Sequence, residues 1–166
     1  MCVKAEHLVN KMYRCYNALV NQKGEEVMVG ILIVTHGEFG KALISSAELI
    51  MGKRENLDAL ELNFGDNTDD LKIKIIDKIR GMSTLNEAKE VLVLVDMFGG
   101  SPSNSTAFAI NELRNDINVE CITGVNLPML LEVSSMSSAE NLASLREIAL
   151  RVGCESIMCL KTKVGM

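Results

Sequence analysis

The sequence predicts an α/β fold: a doubly wound, mainly parallel sheet of order 2-1-3-4 with a peripheral C-terminal edge strand. Three observations predict it. Residues 29–35 (VGILIVT) and 90–96 (EVLVLVD) are short aliphatic, β-branched runs without polar alternation, as in strands buried on both faces. Segments of helical periodicity separate the strand-like runs, which is the spacing of βαβ units. Chemistry-bearing motifs stand at the ends of those two runs. Open α/β sheets place their sites at such ends, and the order 2-1-3-4 would bring these two together.

The elements follow in order. After the first strand, residues 39–52 place Leu43, Ala47, Ile50 and Met51 on one side of a helix ending before Gly52. Residues 57–62 (LDALEL) form a shorter strand. Asn67 or Thr68 caps a helix with Leu71, Ile75 and Ile79 on one stripe, Lys72 and Lys78 outside, and Gly81 as its stop. The third strand is 90–96. Ser101 then reads as an N-cap with Pro102 at the first helical position of a helix reaching about Arg114. Residues 117–123 (INVECIT) are a fourth strand, and Asn126-Leu127-Pro128 opens a short helix. Ser137 and Glu140 have capping-box spacing before a helix carrying Leu142, Leu145 and Ile148, closed by Gly153. Residues 155–162 (ESIMCLKT) suit the edge strand, because lysine and glutamate protect an exposed edge.

Residues 28–166 thus read as one domain. Residues 1–27 differ, and two readings stand side by side. Leu8, Met12, Tyr16 and Leu19 are spaced for a short amphipathic helix. Alternatively the segment is a non-native leader: Gly24-Glu25-Glu26-Val27 is encodable by a purine-rich, ribosome-binding-like stretch directly before Met28, where translation is then expected to start. Lys4, Glu6, Lys11 and Arg14 interrupt the apolar run that a signal peptide needs.

Composition removes several classes of function. Of 166 residues, 48% are hydrophobic but only 4% aromatic, with no Trp, so the platforms that stack single-stranded bases are missing. A net charge of −5 disfavours a phosphate backbone, and no nucleic-acid partner is expected. No apolar run approaches the roughly 18 residues of a membrane span. The five cysteines form no CxxC pair, and no histidine lies close in sequence to Cys121, Cys154 or Cys159. They read as reduced, mostly buried thiols of a cytoplasmic protein, not as a disulfide framework or a metal site.

Two histidines occur in the chain, and His7 lies in the leader. His36 follows the first strand in Thr35-His36-Gly37. Its neutral imidazole offers a nucleophilic nitrogen, and a carboxylate on the other nitrogen would fix the tautomer and stabilise developing positive charge. Asp96, at the end of the third strand, is the candidate carboxylate. The plainer alternative is a histidine satisfied at a strand end and an aspartate capping a turn. Gly99-Gly100-Ser101-Pro102 supplies what an anion needs: glycines that admit close approach, then a helix N-terminus. It is not a Walker loop, since no Lys follows the glycine, and no acidic cluster marks a Mg²⁺ site. No cofactor is expected.

The strings GILIVTHGEFGKAL, LVDMFGGSPSN and TGVNLPMLLE resemble the IIA component of the mannose-type (mannose/fructose/sorbose) sugar phosphotransferase system (PTS). The resemblance runs from Met28 to about Glu132, weakens over 133–166 and is absent over 1–27. It implies that His36 carries a phosphoryl group, that Asp96 hydrogen-bonds it, and that Ser101 contributes to the phosphoryl site with Gly37, Gly99 and Gly100. Thr35, Phe98, Asn126 and Pro128 would form the pocket rim. It implies a cytoplasmic carrier that accepts phosphate from the histidine phosphocarrier HPr and passes it to a separate IIB component, with indirect association to membrane IIC and IID subunits. It implies a homodimer exchanging a C-terminal strand, here 155–162. Two other readings are the phosphotransferase subunit of a PTS-dependent dihydroxyacetone kinase, whose third-strand loop typically lacks GGSPSN, and a non-catalytic module sensing PTS phosphorylation.

Overall fold

Two runs of aliphatic residues are hidden from water on both sides, and they form the middle of the molecule. The computed structural model describes residues 28–85 and 87–165; residues 1–27, and with them both the leader and the short-helix readings, lie outside the described residues. Strand β1 (Gly30–His36) and strand β3 (Glu90–Val95) pair directly, flanked by β2 (Leu57–Leu62) and β4 (Asn118–Thr123). All pairings are parallel and the order is β2-β1-β3-β4, as the positions of the motifs require. Ile31 to Val34 and Val91 to Val95 are fully buried.

Alternation along the strands sends side chains to opposite faces. On one face Ile31, Ile33, Leu92 and Leu94 pack against helices α1 (Phe39–Met51), α4 (Leu127–Met136) and α5 (Leu142–Glu155) through Leu43, Ala47, Leu130, Val133, Leu145 and Ala149. On the other, Leu32, Val34, Val93 and Val95 meet α2 (Thr68–Met82) and α3 (Ser101–Leu113) through Leu71, Ile75, Ile79, Ala109 and Leu113. At about 25 cal/mol per Å², these two aliphatic layers dominate the energy holding the sheet between its helices.

Caps explain where the helices begin. Asn67 accepts the Asp69 N–H, Asn126 the Met129 N–H and Asn141 the Ser144 N–H. The expected capping box at Ser137 and Glu140 is not used. Ser137 instead ends α4, buried, its hydroxyl donating to the Ser134 carbonyl at 3.0 Å. A carboxylate from a strand adds the second anchor of α5: Glu90 Oε2 accepts the Leu142 N–H at 3.1 Å.

Four further expectations are corrected. Gly81 does not stop α2, which continues through Met82 into a 3₁₀ turn, Ser83–Leu85, because buried Met82 packs on the opening of β1; a Cβ at Gly30 would lie 2.9 Å from Met82 Cβ. Gly100, in extended conformation, is the N-cap of α3, and Ser101 is already helical. Gly153 does not close α5. It lies inside the helix, where a Cβ would meet Met129 Cε at 2.4 Å, so the glycine is there for close packing of α5 on α4. Residues 155–162 form no strand: α5 runs through Glu155, and Leu160–Lys163 make one short helical turn, α6. The segment's residues from 156 to 163 lie exposed or half-exposed, so no buried strand edge draws them into the sheet.

Lys89, just before β3, has φ 52°, the sole positive φ at a non-glycine among the described residues. Its carbonyl accepts the Asn118 N–H at 3.0 Å, which holds the turn in place. Left-handed backbone costs about 1–2 kcal/mol at an L-residue, against about 0.5–1 kcal/mol of extra chain entropy for glycine. Lys89→Gly is therefore expected to stabilise by about 0.5–1 kcal/mol in urea denaturation; a lowered midpoint would contradict the argument.

Candidate functional site

His36 closes β1 and Asp96 follows β3 directly, and the register Val34↔Val95 puts the two strand ends side by side. The side chains meet: His36 Nδ1 lies 2.8 Å from Asp96 Oδ2. The same oxygen accepts the His36 backbone N–H at 2.8 Å, and Oδ1 accepts the Met97 N–H at 2.8 Å. Burial pushes the Asp96 carboxyl up. The His36 backbone and ring N–H groups and the Met97 N–H outweigh that burial, and the carboxyl sits below its ordinary range. An ionised carboxylate only accepts hydrogen bonds. In the neutral ring Nδ1 therefore carries the proton, and Nε2 is left with a free lone pair.

Nε2 faces the opening of α3. A Cβ added at Gly100 would stand 2.8 Å from His36 Cε1 and 3.5 Å from Nε2, so a glycine is what allows the ring to lie this close to the backbone. Gly99 takes φ 79°, which turns the chain into the helix. The helix opens beside the ring, so the positive end of its dipole lies on this side. Pro102 has no N–H and the Asn104 N–H is bonded to the Gly100 carbonyl, which leaves the Ser101 and Ser103 amides as the donors of the first turn. Gly100, the N-cap, has no side chain to cap the helix, and among the described residues the Ser101 hydroxyl has no hydrogen-bond partner. The His36 side chain is 46% exposed and that of Asp96 16%: the nucleophilic nitrogen is open to a partner while its support is shielded.

The remaining sequence-singled residues divide. Gly37 has φ 52° and donates its N–H to the Leu62 carbonyl at 2.9 Å, so that amide is spent on the turn and does not face an anion. Thr35 is fully buried, not at a rim. Phe98 is 83% exposed, and Met97 and Phe39 are exposed as well, so the two loops that carry Asp96 and His36 present an apolar apron. The 124–128 loop leaves the same edge, tied to β3 by Val125 N–H to Val95 O at 3.1 Å. Asn126 spends its side chain within that neighbourhood, accepting from Met129 N and donating to the Gly153 carbonyl at 3.2 Å. Pro128 is exposed in the first turn of α4.

Asn104 escaped the sequence reading. Its Nδ2 donates to the Gly99 carbonyl at 3.3 Å and its N–H to the Gly100 carbonyl at 2.9 Å, so the glycine pair is held from the helix it precedes. The string SPSN carried the signal, since an amide side chain in a first helical turn can reach back to the loop.

Grooves elsewhere lack this chemistry. One lies between α3 and β4 at Ile110, Arg114 and Asn118; another lies between β2 and α2, crossed by the Asp58–Lys78 pair at 2.7 Å. Neither holds a histidine or cysteine. Burial pushes the Cys121 thiol up to about 12, so it is inert as a nucleophile. Among the described residues no cluster of three or more His, Cys, Asp or Glu could hold a metal ion, and no helix is long and apolar enough to cross a membrane.

Residues 30–150 match the family described as PTS system fructose IIA component. The fructose-specific EIIA component of Bacillus subtilis is 34% identical over 142 residues, covering 81% of this chain and 93% of that protein. The mannose-specific EIIAB component of Escherichia coli is 32% identical over 137 residues; 81% of this chain aligns, and it spans about 40% of the length of that relative. Among solved structures, the phosphotransferase system component EIIA of Streptococcus agalactiae superposes with a TM-score of 0.72 at 29% identity, covering 81% of this chain and 99% of that one.

Proposed function

This chain belongs to the PTS fructose IIA component family, and from that premise we propose that it is a phosphoryl carrier, taking phosphate from phospho-HPr on His36 Nε2 and passing it to a IIB component. The observation that carries the reading is the ring itself: Nδ1 tied to an ionised Asp96, Nε2 free and aimed at the N-terminus of α3. Nε2 attacks phosphorus in line, forming the N–P bond as the donor's N–P bond breaks. The positive charge that develops on the ring is held by Asp96, and the transferred oxygens meet the amides and dipole of α3, with the Ser101 hydroxyl available to them. No acid or base need act on the donor, so a small constellation suffices. The return step reverses these roles.

A protein donor also suits the surface. His36 is half-open, and the loops after β1 and β3 expose Phe39, Met97 and Phe98 at 46%, 55% and 83%, which suits a docking partner better than an engulfed small molecule. The sugar never enters this site, so its identity lies with other subunits. We further place the protein in the cytoplasm, associating with IIC and IID only through IIB. We also propose that it works as a homodimer. Ile157, Met158 and Leu160 expose 82%, 57% and 70% of their surface, and a second copy would cover them.

Incubation with ³²P-labelled phospho-HPr tests the carrier role. The expected product is an acid-labile, base-stable label in the peptide containing His36, discharged on adding a IIB protein. An acid-stable label, or none, would overturn the proposal.

A further inference from the structure

We propose that Thr35 is a positioning residue for phosphoryl transfer: its buried hydroxyl sets the turn that carries the His36 imidazole. The proposal rests on the carrier reading above. Thr35 is fully buried, and its Oγ1 accepts the Gly40 N–H at 2.9 Å while facing the Gly37 carbonyl at 3.5 Å. Glu38, the N-cap residue of α1, gives that helix no side-chain cap. Thr35 takes that role from beneath, holding an amide of the first turn that would otherwise be buried without a partner. Gly40 is closely packed, and a side chain there would make its neighbours give by a few tenths of an ångström. A Cβ there would stand 3.1 Å from Thr35 Oγ1, 3.2 Å from Ile33 Cγ2 and 3.4 Å from Ala59 Cβ.

The turn therefore has three attachments. Asp96 holds the His36 N–H, the Leu62 carbonyl holds the Gly37 N–H, and Thr35 holds Gly40. The first belongs to the chemistry and the second is backbone. Thr35 is thus the side chain that fixes the turn without touching the ring. Losing its hydrogen bond frees the chain on the far side of His36, and the height of Nε2 over Gly100 is no longer fixed. Valine keeps the shape of threonine and removes the bond; serine keeps the bond.

Initial rates with phospho-HPr as donor test the assignment. Thr35→Val is expected to lower kcat about 10- to 100-fold, with KM for phospho-HPr within about twofold because the apron of Met97 and Phe98 is unchanged. Thr35→Ser should restore kcat to within about threefold of wild type. A merely structural role would lower Tm without splitting kcat from KM. If Thr35→Val does not fold, Gly40→Ala, which presses on Thr35 Oγ1, replaces it and should lower kcat in the same way. A folded Thr35→Val, or in its place Gly40→Ala, transferring at the wild-type rate overturns the proposal. If wild type takes no phosphoryl group, the carrier reading fails by itself. The His36 ring nitrogens then decide in ¹⁵N NMR: an averaged tautomer pattern in Thr35→Val supports the positioning role, and a wild-type pattern refutes it.

Discussion

His36→Gln is expected to abolish phosphoryl uptake from phospho-HPr, by at least about 10⁴-fold, while leaving the fold intact. Glutamine has no nucleophilic nitrogen, because its amide lone pair is delocalised. The remaining groups around Gly100 and Ser101 can bind an anion but cannot form a bond to phosphorus. The stability cost should be small. The side chain is 46% exposed, lies in a turn and contributes nothing to either aliphatic layer. A partly exposed ion pair is worth about 0–1 kcal/mol, so Tm should fall by no more than a few degrees. Rapid-quench labelling and a melting curve on the same preparation check both halves. Uptake at the wild-type rate would remove His36 from the role, whereas a collapsed melting transition would show that the turn has a structural burden not visible in its contacts.

What could be read in advance, and what could not, divides along physical lines. The central strands announced themselves because VGILIVT and EVLVLVD have no polar face, and only a site hidden on both sides suits such a run. The pairing of His36 with Asp96 followed once those strands were adjacent. Glycine misled in two places. Gly81 and Gly153 look like helix stops, but the first is passed because Met82 has a buried seat, and the second serves a neighbour's side chain: Met129 needs the space a Cβ would fill. Contacts distant in sequence leave no local trace. The same is true of Thr35, which looks like a rim residue beside His36 and turns out to cap α1 from the core. The expected strand at 155–162 relied on composition, and composition alone does not supply an edge to pair with.

Asp96→Asn is expected to keep phospho-HPr binding but slow transfer by about 10²- to 10⁴-fold, and the reason lies in the count of donors around the carboxylate. Three N–H groups point at it: the His36 backbone and Nδ1 at Oδ2, and the Met97 backbone at Oδ1. A carboxylate satisfies all three. An amide cannot, since one of its two ends is itself a donor. Facing Met97, its NH₂ opposes an N–H and that hydrogen bond is lost. Facing His36, it donates to Nδ1, the ring proton moves to Nε2, and the nitrogen aimed at Gly100 loses its lone pair. In the first orientation the ring keeps its tautomer, but a neutral oxygen no longer offsets the charge that develops on it. In the second the lone pair is gone. Both slow transfer at the ring itself, so kcat should fall more than KM changes. The pH dependence follows from the same bonds. The folded carboxyl lies below its ordinary range, so its contribution to stability is present above about pH 3.9 and is lost as pH falls through the lower folded value. Wild type should show that acid limb, and Asp96→Asn should lack it while being less stable at neutral pH. Stopped-flow transfer rates and denaturation across acid pH test the pair of effects. An asparagine variant within threefold of wild type in kcat would mean that the carboxylate does not hold the ring in its reactive tautomer.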